Sequence, residues 1–154
     1  MPYTKLMEKP LKNEADEYRW SKETAEAIKS GNFAAIDMDA LLDEMESTVS
    51  RLERFLHSTV RDILEALLWQ KYTDAAKEEI DGLLIPALVR LESMLDLTPS
   101  LRELVPNTMT EAYRAARKLV TELYGVTLPD ECPFSLQLIM QDPFERLVSE
   151  RRII

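Results

Sequence analysis

Residues 37–72, DMDALLDEMESTVSRLERFLHSTVRDILEALLWQKY, decide the fold. No glycine or proline falls between Phe33 and Asp81, and Leu42, Met45, Val49, Leu52, Leu56, Val60, Ile63 and Leu67 recur at steps of three and four. That spacing puts them on one face of an α-helix. Unbroken to Tyr72, the helix is about 50 Å long at 1.5 Å per residue. A rod of that length needs several partners to cover its apolar seam, so the rest of the chain is expected to lie along it. Asp37 is placed to accept a free amide of the first turn, with Ile36 and Leu41 positioned as a hydrophobic staple.

Signals on either side of the rod are also helical. Pro10 interrupts an N-terminal arm at residues 1–12, and Asn13 is read as the cap of a first helix, with Asp16 at its third position. That helix runs to Ser30-Gly31, with Tyr18, Ala25 and Ile28 on one face and Trp20 beside them. Thr73 or Asp74 is expected to cap a third helix with the seam Ile80, Leu84, Ala87, Leu91 and Leu95, kinked near 82–86 by Pro86. Thr98-Pro99 opens a short helix that Pro106 ends. Thr108 and Glu111 read as a capping box before the stripe Met109, Ala112, Tyr113, Ala116, Leu119 and Leu123, which stops at Gly125. One short helix over 135–140 is expected in the proline-bearing remainder, and no run alternates long enough to make a strand.

Composition narrows the function classes. The chain has 154 residues, three glycines, one cysteine and a net charge of −9. Its length suits one domain. The longest apolar run, residues 83–89, is far shorter than the roughly 20 residues needed to span a bilayer. No secretory leader is visible at Met1-Pro2-Tyr3-Thr4-Lys5-Leu6, and Cys132 has no internal disulfide partner, so a cytoplasmic location is expected. The acidic balance repels a phosphate backbone, so nucleic acid is not an expected partner. Phosphate loops, Cys-x-x-Cys pairs and dinucleotide fingerprints are missing.

Several residues in order carry a family likeness. Asp16-Glu17-Tyr18-Arg19-Trp20, Glu23-Thr24, Gly31, Phe33, and Asp37 leading into Leu41, Glu44 and Glu46 are followed by Glu53 and by Leu67 to Trp69. Further on stand Pro99-Ser100-Leu101, Ala112-Tyr113, Ala116-Arg117 and Glu131-Cys132-Pro133. Together they resemble the domain of unknown function 29 family over residues 14–140. The resemblance implies a compact all-helical fold and no activity. Glu65-Ala66-Leu67-Leu68 departs from it, standing where a histidine and a lysine are expected before Trp69. The stretch after Trp69, expected to be arginine-rich with another tryptophan, is acidic and shorter.

The most suggestive polar pattern is Asp39, Asp43, Glu46, Ser50, Glu53 and His57, a stripe about 100° round from the apolar seam. Carboxylates with an imidazole suit a divalent cation. A solvated acidic face whose first turn favours negative charge through the helix dipole is the plainer explanation. His57 follows Glu53 by four residues, within reach of an ion pair. Cys132 beside Glu131 is expected to have a raised pKa, and no motif links it to His57. Trp20, Trp69, Tyr18, Tyr72 and Tyr113 are read as packing residues, and Arg117 as a charge partner for Glu44 or Glu46.

The resulting expectation is an all-α, single-domain helical bundle around one long central helix, with short C-terminal helices. Residues 1–12 form an arm, 13–140 the domain and 141–154 a tail ending in Ile153-Ile154. The leading functional expectation is a non-enzymatic protein-interaction module that self-associates as a homo-oligomer, because Phe55, Leu64 and Leu68 lie off the main seam. It needs no cofactor, metal, membrane or nucleic acid. The alternative is a small-ligand-binding or metal-dependent enzyme using the acidic stripe. Glu44, Glu46, Glu53, His57 and Arg117 are the candidate binding residues, with no catalytic residue assigned.

Overall fold

The computed structural model describes residues 16–143 and 145. Among them the order is α1 (Glu17–Lys29), a 3-10 helix (Phe33–Ala35), α2 (Met38–Tyr72), α3 (Lys77–Leu97), a second 3-10 helix (Pro99–Leu104), α4 (Val105–Tyr124) and α5 (Leu136–Ile139), with no strand. The expected fold, all-α with one long central helix, is the one observed. The arm, the Asn13 cap, Phe144 and the tail from 146 onward lie outside the described residues. The chain divides into two compact units, Met1–Arg51 and Leu52–Ile154, and the division falls inside α2.

In the first unit, α1 starts later than the sequence suggests. Asp16 is its cap, its side chain accepting the Arg19 amide at 2.9 Å, and Gly31 follows the end of the helix at φ 71°. The buried face is Trp20, Thr24 and Ala27, while Tyr18 is 78% exposed and Ile28 is also open. The indole accounts for the difference: it is the largest apolar group on α1, and Thr24 and Ala27 share its stripe at steps of four and three. Asp37 caps α2 as expected, accepting the Ala40 amide at 3.0 Å.

The second unit holds the core. Leu56, Val60, Ile63, Leu64, Leu67 and Leu68 of α2 join the α3 seam, Val105 to Val120 of α4, Leu128 and Ile139 in one buried cluster. From 63 to 68 every residue of α2 is buried, so the chain covers this stretch on all sides. Asp62 ties α3 to α2, accepting from Arg90 at 2.8 Å and from its own neighbour Arg61 at 2.9 Å.

Two helix boundaries after α2 and one buried face differ from the sequence expectations. Thr73 does not cap α3. It closes α2, its hydroxyl donating to the Trp69 carbonyl at 2.8 Å, and α3 starts after Ala76 without a side-chain cap. Pro106 does not end the 3-10 helix before a capping box at Thr108. The chain runs from that helix directly into α4, with Pro106 in the first turn, where its missing N–H costs nothing. The C-terminal part of the α4 stripe passes from Leu119 and Leu123 to Val120, which is fully buried. Pro86 lies on an exposed part of α3, and the helix is continuous through it.

Candidate functional site

The polar stripe on α2 is divided between the two units. Asp39, Asp43, Glu44 and Glu46 belong to the first unit and form no ion pair with any described residue. In the second unit Glu53 and His57 line a shallow cleft of about 170 Å³ with Leu56, Leu104, Thr108 and Glu111. No hydrogen bond joins Glu53 to His57. Arg117 has its partner within its own unit. Its guanidinium donates to Asp130 at 2.6 Å, thirteen residues on, because both ends of that pair lie where the chain turns back over α4. Among the described residues no three of His, Cys, Asp and Glu are grouped to hold a metal ion.

The second half of the family-like residues instead gathers where the loop after α4 folds back. Tyr113, 2% exposed, donates its phenol to the Pro129 carbonyl at 2.6 Å. Arg117 holds Asp130, and the Lys71 ammonium lies 5.5 Å from the Tyr72 ring centre and 5.8 Å from that of Phe134. Trp69 meets Tyr124 edge-on with ring centres 5.6 Å apart. These contacts tie the loop to α2 and α4. The Cys132 thiol is half-buried there, and burial, not the neighbouring carboxylate, pushes its pKa up. Such a thiol is a poor nucleophile at neutral pH.

The seam itself holds the largest departure from expectation. Phe55 is 46% exposed, but Leu64 and Leu68, also expected to lie off the seam and uncovered, are fully buried. What remains open is the first half of the seam, where Leu42, Met45 and Val49 are 56%, 54% and 55% exposed and Met38 is more so. One row of side chains therefore changes role along a single helix. It faces solvent through residue 49 and enters the core from Leu56 onward.

A titratable residue that the sequence reading passed over is Glu65. It sits inside the fully buried stretch of α2, and burial, then the Asp62 carboxylate, push its pKa up, with Arg61 opposing. The signal was a carboxylate in an otherwise apolar run, at the point where the family likeness lapses. A carboxyl with a raised folded-state pKa stabilises least where it is charged. Stability should fall as pH rises from the ordinary value of 4.5 toward the folded-state one. Glu65→Gln is therefore expected to raise stability by on the order of 1 kcal/mol at neutral pH. The gain in urea midpoint over the wild type should shrink as the buffer is taken down toward pH 5, and a gain independent of pH would contradict this account.

The fold and these sites define an all-α protein whose motif residues fasten a loop and whose central helix leaves half of its apolar seam open. A family model described as a domain of unknown function, DUF29, matches residues 13–145, and the chain belongs to that family. Neither the curated proteins nor the solved structures give a match to the chain.

Proposed function

We propose that the chain is a non-enzymatic helical protein-interaction module whose partner surface is the first half of α2. The observation that carries this reading is the open row Met38, Leu42, Met45 and Val49, four large apolar side chains at helical spacing along one face. Single exposed apolar residues are ordinary, but a contiguous row of this kind marks an interaction surface. A second copy of the chain or the helix of a different protein can pack on such a row. The lone cysteine suits a compartment where thiols stay reduced, such as the cytoplasm. No helix of the described residues is long and apolar enough to cross a membrane.

The double substitution Leu42→Glu and Val49→Glu tests the reading. Both positions are more than half open, so helicity and melting temperature should stay close to wild type. Association, read as a dimer in sedimentation velocity or as capture of a helical peptide, should be lost. Association that survives the double substitution would refute the proposal.

A further inference from the structure

Resting on that reading, we infer that the occupant is an amphipathic helix of another protein that carries Lys or Arg along one flank of its apolar face. The charge pattern of α2 selects it. Asp39 and Glu46 each directly follow a seam residue, Met38 and Met45, and so border the open row on one side, with Asp43 farther round. None of these three carboxylates has an ion-pair partner among the described residues. Arg51, the one cation in residues 38–51, lies about 140° round the helix from the row. The row is thus edged by negative charge that no described residue pairs with.

That edge argues against a second copy. Two copies aligned antiparallel along the row place Asp39 of one against Glu46 of the other, or Glu46 against its own counterpart. Like charges at such flanking positions destabilise a helix pair. In a parallel pair Glu46 borders Leu41 of the other copy and meets no cation. Anionic lipid and nucleic acid are repelled by the same edge and by the net charge of −9. A helix with a basic flank meets both features at once: its apolar residues pack on Leu42, Met45 and Val49, while its cations sit over Asp39 and Glu46. Met38 and Met45 add unbranched side chains that reshape to different partners.

The test uses two labelled synthetic helical peptides of about 20 residues, long enough to cover the row. They share one leucine seam and differ only in carrying lysine or glutamate on the flanks. Fluorescence anisotropy with the full chain is expected to show the lysine peptide binding about tenfold or more tightly than its glutamate counterpart. The preference should shrink as salt is raised from about 50 mM to about 500 mM. Asp39→Lys with Glu46→Lys should reverse it, and Leu42→Glu with Val49→Glu should abolish binding of both peptides. Equal binding of the two peptides overturns the inference. A homodimer that is lost in Leu42→Glu with Val49→Glu, with neither peptide competing for it, also overturns the inference yet upholds the interaction module. A chain that neither dimerises nor binds either peptide removes both.

Discussion

Leu64→Ala is expected to destabilise the protein by about 3 kcal/mol or more, within the range measured for buried leucines. Leu64 has no exposed surface and lies within the stretch of α2, residues 63–68, that is buried throughout. Truncation loses the transfer free energy of the removed carbons and leaves a cavity. A close-packed interior fills such a cavity only in part. A typical domain is stable by only about 5–15 kcal/mol, so the loss is a large share of the total. Leu42→Ala, made in the second turn of the same helix, should cost less than about 1 kcal/mol because Leu42 is already half in water. Urea unfolding of the two variants gives the comparison. Equal losses would mean that the open half of the seam is covered within the chain.

Tyr113→Ala should be comparably severe, at about 3–5 kcal/mol. Two effects add. The buried ring is the largest side chain of the α4 stripe, and its hydroxyl is the group that holds the Pro129 carbonyl. Tyr113→Phe separates them, keeping the ring and costing about 1 kcal/mol for the lost hydrogen bond. The phenylalanine variant should also loosen the loop locally, seen as faster amide exchange near Leu128 with little change at Leu64. A Tyr113→Phe protein as unstable as Tyr113→Ala would mean that the hydrogen bond, and not the ring, holds this part of the fold.

Much of the fold was legible because its signals are local. The spacing from Leu42 to Leu67, the Asp37 cap and the left-handed glycine after α4 each follow from a few neighbouring residues, and each is observed. The misread boundaries depended on choices between equally good local partners. Thr73 can serve the end of α2 or the start of α3, and only the position of the Trp69 carbonyl decides. The α1 face was misread because Tyr18 and Ile28 look as apolar as Trp20, and burial is settled by what packs around them.

The candidate site was much less legible. Helical periodicity shows which residues share a face but not whether anything covers that face. Leu42 and Ile63 are therefore indistinguishable by spacing, yet one is half exposed and the other fully buried. The Arg117–Asp130 pair was missed for a related reason: Asp130 lies in a loop whose path no periodicity encodes. Glu65 was visible as an exception in its run, and the departure from the family pattern stands at the same place.

The division of one seam into a covered and an open half is most directly tested by thiol accessibility. Single cysteines placed by Val49→Cys and Val60→Cys in a Cys132→Ala background would be reacted with a thiol reagent at about 1 µM protein, where association is weak. The cysteine at 49 should react within about tenfold of the unfolded rate. The one at 60, where the native side chain has no exposed surface, should be slower by about a thousandfold or more, since it reacts only through opening of the core. Equal protection at the two positions would contradict the account.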